Sequence, residues 1–364
     1  MQVALTGKLA KAMGIKPEAS NDEVDPLFTW TANWTKVWDN RKADDMLVLV
    51  NHATRFTVAI YQVKRKDLKN VPEMMKKAIS NTLRYMNINH EIVDEYMRLC
   101  GEVTFVKNNN RSAAAWVSKS GVESAIYVAD EYNGIPKMFH DTVGARINYR
   151  PVNYSSNFSD SFIPYEKMKT ALSELTGKQA YKYRAYELLV TLDLDVYKAV
   201  RKLIVPADLE FTRLHKVLQS VFDWDNDHLY NFSFFDVQKQ RKVVLTAPFE
   251  EDWGGEDIIS IDGHVLSEFM ENYERVVYTY DFGDDWRHEV KLLRVIEEYD
   301  KESPYLLEAS GQTPPEDVGG VGGFLEFREI IMNHDHPRYE EAQSWAGFWS
   351  PELSDWQKRP RVIY

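Results

Sequence analysis

Cysteine is nearly missing from this chain: Cys100 is the only one in 364 residues. A lone cysteine excludes an internal disulfide and any zinc site built on paired thiolates. Both exclusions are expected of a protein of the reducing cytoplasm. No run of about 18 apolar residues occurs, so no segment reads as a membrane span. The opening MQVALTGKLAKAMG is too short and too interrupted to read as a secretory signal. There is no phosphate-binding Gly-x4-Gly-Lys-Ser/Thr loop, no GxSxG elbow, no HExxH pair, no dinucleotide fingerprint and no Ser-His-Asp order. No motif therefore names an activity.

Positive charge is scarce in one half only. Residues 1–180 carry 24 Lys+Arg against 20 Asp+Glu, a balance of +4; residues 181–364 carry 20 against 36, a balance of −16. The acidic half repels nucleic acid phosphates unless a cation intervenes. Direct nucleic acid contact is expected only through the first half. A basic protein partner, a small ligand or a divalent cation suits the second half. Acidic surface that merely keeps a protein in solution has the same composition.

What is present is ample apolar and aromatic material, 44% and 13% of residues. This length predicts two domains, placed at residues 1–177 and 178–364. Strand and helix patterns are interspersed without strict alternation, and hairpins recur. This predicts two α+β domains, the second with a mostly antiparallel sheet and packed helices.

In the first domain, Met46–Val50 and Arg55–Val63 read as a hairpin. Apolar spacing predicts helices over Val71–Met86, His90–Cys100, Arg111–Tyr132 and Tyr165–Leu175, the last stopped by Gly177. Cys100 then falls on a core face, with no nearby base to activate it. Trp30, Trp34 and Trp38 are spaced to share one face of a helix, as core or as a stacking platform. Residues 133–164, rich in Asn, Ser, Pro and Gly, read as an inter-domain segment. The only basic concentration is Lys64-Arg65-Lys66 with Lys69, Lys76 and Lys77. It is either a solvated face or a nucleic acid contact.

In the second domain, Tyr183–Leu194 and Leu229–Phe235 read as strands. Leu214 to Phe222 reads as an amphipathic helix, with Asp208 or Thr212 available as its cap. His264–Asn272 reads as a short helix and Ser303–Ala309 as an extended link. Gly322–Asn333 and Pro337–Ala346 read as helices. The chain is organised around Val276–Val295. Val276, Tyr278 and Tyr280 alternate, Phe282-Gly283-Asp284-Asp285 makes a corner, and Trp286, His288, Val290 and Leu292 resume the alternation.

Four segments in order carry a family pattern: Tyr186–Leu192; FDWDNDHLYNF at Phe222–Phe232; YTYDFGDDWRHEV at Tyr278–Val290; and PPEDVGG at Pro314–Gly320, followed by FLEFREIIMNHDHPRYEEAQSW. From Tyr183 to about Trp356 the chain resembles the plasmid pRiA4b ORF-3-like family, also labelled TnpR-like. The first half resembles a separate domain of unknown function, through the strand pair at MLVLVN and the NNNRS segment. The resemblance implies an α+β fold and an association with plasmids and mobile elements, and it brings no reaction. No serine-recombinase pattern supports a resolvase reading. Relatives commonly carry Cys at both ends of the PPED loop, where this chain has Thr313 and Val318.

The candidate binding residues are Trp224, Asp225, Asp227, His228, Tyr280, Asp281, Asp284, Asp285, Trp286, His288, Glu316 and Asp317. If the three segments converge, Asp227, His228, Asp281, Asp285 and His288 offer oxygen and imidazole ligands to a divalent cation. Otherwise the acids cap helices and brace turns while Trp224 and Trp286 pack beneath. His334 and His336 are two apart and more naturally precede a helix. The glycines at 319–323 read as an approach to a helix. Three functions are consistent with these features. The first is a non-enzymatic binding or regulatory protein with an acidic interaction surface. The second is a metal-dependent hydrolase, and the third a DNA-binding accessory of a transposable element.

Overall fold

A computed structural model describes residues 1–21, 23–36, 45–61, 63–131, 141–153, 160–247, 257–347 and 349–363. The chain divides into two compact units, Met1–Lys182 and Tyr183–Tyr364. Each has its own sheet and core, and both are α+β.

The first unit contains β1 (Gln2–Leu5), α1 (Gly7–Met13), β2 (Thr29–Lys36), β3 (Asp45–Asn51), β4 (Thr57–Ile60), α2 (Val71–Tyr85), α3 (His90–Cys100), β5 (Thr104–Lys107), α4 (Arg111–Glu131), α5 (Asp141–Asn148), β6 (Val152–Asn153), β7 (Ser161–Phe162) and α6 (Pro164–Thr176). Five strands form a sheet in the order β4-β3-β2-β1-β5. β1 runs parallel to β2 and β5, whereas β2, β3 and β4 pair antiparallel.

The tryptophan row is a strand, not a helix. Thr29, Thr31 and Thr35 are β-branched and suit a pleated backbone. Two-residue periodicity then places Trp30, Ala32 and Trp34 together, all buried. Trp30 donates its indole N–H to the Tyr96 hydroxyl at 3.2 Å, and Tyr96 donates to the Leu27 carbonyl at 2.8 Å. Buried indoles offer no face to a nucleic acid base. Trp38 lies outside the described residues. Cys100 is buried, and burial pushes its thiol up, so it is a core side chain. The expected inter-domain segment is corrected in part. Its residues 141–148 form α5, whose Val143 and Ile147 are buried with Val48, Val50 and Val117 in the first unit's core.

The second unit contains β8 (Tyr183–Asp193), β9 (Lys198–Pro206), α7 (Phe211–Phe222), β10 (Tyr230–Phe235), β11 (Arg241–Thr246), β12 (Ile258–Ser260), β13 (Arg275–Tyr280), β14 (Trp286–Tyr299), β15 (Tyr305–Ser310), α8 (Gly320–Ile331), α9 (Tyr339–Ala346), α10 (Asp355–Lys358) and β16 (Arg361–Val362). Nine strands form one sheet in the order β12-β11-β10-β13-β14-β8-β9-β15-β16, antiparallel except at β11–β12. One face carries Tyr186, Leu188 and Val190 of β8, Phe232 and Phe234 of β10, Val276, Tyr278 and Tyr280 of β13, and Trp286 and Val290 of β14. α7 covers it with Phe211, Leu214, Leu218 and Phe222, the three-and-four spacing of an amphipathic helix.

Several sequence boundaries shift. α7 has Glu210 at its N-cap with no side-chain bond, so neither Asp208 nor Thr212 caps it. His264–Asn272 reduces to a single 3-10 turn at Leu266–Glu268. The expected link Ser303–Ala309 is largely strand β15, paired to β9 along Tyr305–Ser310. α8 begins at Gly320, where the glycines fit the close approach described below. α9 begins at Tyr339 instead of Pro337, and His336 Nδ1 accepts the Arg338 N–H at 3.1 Å ahead of it. No helix among the described residues is long and apolar enough to cross a membrane.

Candidate functional site

Three loops meet at the end of β13. The first leaves α7, which stops when Asp223 adopts a left-handed backbone (φ 63°). The second is the β13–β14 corner, where Asp281 and Asp285 are also left-handed (φ 54° and 56°). Asp tolerates this region because its short side chain bonds its own backbone; Asp281 Oδ1 accepts the Gly283 N–H at 2.8 Å. The third loop runs from Gly311 to Gly319, between β15 and α8.

Backbone N–H groups tie the loops together. Asp281 donates to the Leu229 carbonyl at 2.9 Å, joining corner to α7 loop. Glu316 Oε1 accepts the Asp225 N–H at 2.7 Å and the Tyr280 hydroxyl at 3.0 Å. The Asp227 N–H donates to that same hydroxyl at 3.2 Å. Gly319 donates to Asp284 Oδ2 at 3.1 Å. Gly320 (φ 66°) packs so tightly that a Cβ there would lie 2.8 Å from the Asp284 carbonyl oxygen. Only glycine permits this contact.

His228 projects into the junction, partly exposed. Its Nδ1 lies 3.8 Å from Asp281 Oδ2, and its Nε2 lies 3.2 Å from Asp317 Oδ1 and 3.9 Å from Glu316 Oε2. One potential ligand atom from each of His228, Asp281 and Asp317 falls within 4.8 Å of the others. Burial raises the Glu316 carboxyl above its ordinary value, against the opposing pull of the Asp225 N–H and the Tyr280 hydroxyl.

The sequence-derived metal set is thus partly assembled. His228 and Asp281 come together, joined by Asp317 and Glu316 from the wider binding set. Asp285 turns outward to Arg287 at 2.7 Å. His288 lies in the core, its Nδ1 facing the Trp286 and Tyr278 carbonyls at 3.1 and 3.3 Å; burial lowers it to about 4. The β-strand period sends it inward beside Trp286, away from the corner. Asp227 enters through its backbone. Trp224 and Trp286 stack beneath the junction with ring centroids 5.7 Å apart, as a floor.

Sequence reasoning missed two buried groups. His215 of α7 faces the Tyr278 hydroxyl through Nδ1 at 2.8 Å, meets Asn226 through Nε2, and stacks flat on Tyr230. Burial lowers it to about 4. Arg201 of β9 is fully buried and donates to the carbonyls of Val221, Val200, Ser310 and Gly311 at 2.6 to 3.0 Å. It therefore binds the end of α7 to the start of the third loop. The signal for both was a polar residue at a core position of an apolar period.

Beside the junction opens a cleft of about 740 Å³. Its walls carry five carboxylates, Asp223, Asp225, Glu316, Asp317 and Glu352, and no Lys, Arg or His among the described residues that line it. Trp345 and Trp349 form its apolar side. Trp345 is about half exposed, whereas Trp349 donates its indole N–H to the Thr313 carbonyl at 2.7 Å and steadies the third loop.

Residues 184–358, which contain the whole of this junction, match the family described as plasmid pRiA4b ORF-3-like protein. A curated relative, the uncharacterized protein y4hQ of Sinorhizobium fredii (strain NBRC 101917 / NGR234), is 38% identical over 161 residues, covering 44% of this chain and 79% of that protein. The chain belongs to the plasmid pRiA4b ORF-3-like family. Residues 2–167 match a second description, a domain of unknown function, DUF6933. A protein of unknown function from Methanosarcina mazei Go1, solved by crystallography, is 29% identical with a TM-score of 0.42, covering 47% of this chain and 95% of that one. The family's description refers to a plasmid open reading frame, and the relatives' names record no activity.

Proposed function

We propose that the family domain is a binding module whose acidic cleft receives a basic segment of a partner protein. The observation that carries this reading is the cleft's one-sided chemistry: five carboxylates and two tryptophans, unrelieved by any cation among the described lining residues. Lys and Arg side chains suit such a wall twice over. Their charged heads pair with carboxylates, and their stems, or an Arg guanidinium, lie on aromatic faces. The −16 balance of residues 181–364 adds long-range steering of a cationic partner and disfavours nucleic acid there. Three tight backbone ties hold the wall in place, so a ligand meets a preformed surface.

The test is titration of the full chain with a short arginine-rich peptide, read by tryptophan fluorescence, against a glutamate-rich peptide of equal length. Solvent-exposed ion pairs contribute about 0.2–1 kcal/mol each. The combined variant Asp223→Asn, Asp225→Asn, Glu352→Gln should therefore weaken arginine-peptide binding roughly tenfold. Binding should also fall as salt rises. Equal affinity for both peptides, or no effect of the three substitutions, would contradict the reading.

A further inference from the structure

The cleft's Glu316–Asp317 edge carries a feature that a peptide-binding wall does not need. Two carboxylate oxygens face His228 without a hydrogen bond. Glu316 Oε2 is wholly buried and has no hydrogen-bond partner among the described residues; His228 Nε2 is 3.9 Å away. Asp281 Oδ2 belongs to a side chain that is nine-tenths buried, and it lies 3.8 Å from His228 Nδ1, beyond hydrogen-bond reach. Burying an unpaired carboxylate oxygen is costly, and native structures leave few such atoms without a reason. These atoms belong to side chains held by other bonds. Asp281 is fixed by the Gly283 N–H, and Glu316 by the Asp225 N–H and the Tyr280 hydroxyl. They are aimed, not adrift.

We propose that His228, Asp281 and Asp317, completed by Glu316, bind a divalent transition-metal ion. The donor set decides the class. One imidazole with carboxylate oxygens suits zinc, cobalt or manganese, whereas calcium and magnesium take all-oxygen shells. The spacing is close to what coordination needs. Ligands about 2.1 Å from a shared ion lie roughly 3.4 Å apart, and one atom from each of His228, Asp281 and Asp317 already falls within 4.8 Å of the others. Asp317 is the exposed member, free to turn inward, while Asp281 and Glu316 are fixed. Tyr280 packs edge-on to the His228 ring with centroids 5.8 Å apart, and Trp224 packs in turn against Tyr280 and Trp286. The assignment deepens the cation-receiving reading of the same site and rests on it.

The experiment is cobalt titration of the chelator-treated full chain, followed by calorimetry and by the visible absorption of the bound ion. One equivalent should bind. Asp281→Asn suits the left-handed backbone and retains the bond to Gly283, and should weaken binding at least tenfold; so should His228→Gln. Asp285→Asn should leave binding unchanged. Urea midpoints of all three variants separate lost ligation from lost folding. Absence of stoichiometric binding, or binding that survives both ligand substitutions in folded protein, overturns the assignment. Running the arginine-peptide titration in excess chelator separates the two proposals. A peptide that binds there while cobalt fails to bind the chelator-treated chain leaves the cleft standing and the metal refuted; cobalt binding without peptide binding does the reverse.

Discussion

Arg201→Ala is expected to cost the family domain about 4 kcal/mol, the largest loss of any single substitution considered. Arg201 is about 1% exposed and has burial-lowered basicity, to about 10, so it stays charged at neutral pH. Backbone carbonyls, not a carboxylate, hold it. It donates to Val221 at 2.6 Å, Val200 at 2.9 Å, and Ser310 and Gly311 at 3.0 Å each, with its guanidinium 4.7 Å over the Phe222 ring. Alanine strands those acceptors in the core and opens a cavity where the arginine stem packed. Breaking a buried hydrogen-bond network is among the few mechanisms by which one substitution costs as much as about 4 kcal/mol. The melting temperature should fall by roughly 10 °C. Arg294→Ala is the control. That side chain is mostly exposed and shares Glu187 with Lys202, so its loss should cost under about 1 kcal/mol. Amide exchange at Gly311, Gln312, Thr313 and Glu316 should quicken in the Arg201 variant alone, because its carbonyl ties lead into the site loop. A loss no larger than that of Arg294→Ala would show that the buried guanidinium is not what fastens α7 to that loop.

Stability should decline steeply as pH falls from about 6.5 toward 4. His215 and His288 are buried and lowered to about 4, burial being the main cause for each. Above 6.5 both are neutral in folded and unfolded chains, and their contribution is fully present. Between 6.5 and 4 the unfolded chain takes up protons that the folded one refuses, so unfolding is favoured. Below 4 the folded state is protonated too, and the effect levels off. A separation of this size corresponds to about 3 kcal/mol for each histidine. Glu187, Glu271 and Asp236 are held below their ordinary values, so their stabilisation is lost as pH falls from the ordinary carboxylate range downward, while the raised Glu316 carboxyl acts in the opposite sense; the interval from 6.5 to 5 therefore reports chiefly on the histidines. His52 of the first unit is lowered to about 4 as well, so the full chain carries three such groups. His288→Leu should therefore remove about one third of the slope between pH 6.5 and 5. Urea midpoints measured across this range check it; a midpoint independent of pH would contradict the burial of neutral imidazoles.

The central hairpin was legible because two-residue alternation survives on both sides of the acidic corner. Val276, Tyr278 and Tyr280 pair in register with Val290, His288 and Trp286. The helices His90–Cys100 and Phe211–Phe222 were legible for the corresponding reason, an unbroken apolar face. The tryptophan row misled because spacing by four satisfies helix and strand alike; the flanking threonines decide it. α5 was hidden by its polar, glycine-bearing surroundings; its Val143 and Ile147 reach the core, and the buried Asn148 bonds the Thr57 backbone.

The site was half legible. Acids at chain reversals marked all three loops. Which of them meet depends on a nine-stranded sheet that no local pattern reveals. Periodicity also holds the reason that His288 lies apart from the junction. His288 shares the inward face with Trp286 and Val290, and a residue on that face cannot also serve a surface corner. Arg201 could have been noticed the same way, as the one charge in the inward row Ala199, Arg201, Leu203 and Val205 of β9.

The most direct test of the cleft as a receptor for basic segments is to map where the arginine-rich peptide lands, by amide chemical-shift perturbation on the isotope-labelled chain. Shifts concentrated at residues 312–317 and 345–357, with the Trp345 and Trp349 indole signals moving and high salt reversing both, are the predicted result. Shifts spread over the acidic surface at large, or centred away from those two segments, would contradict it.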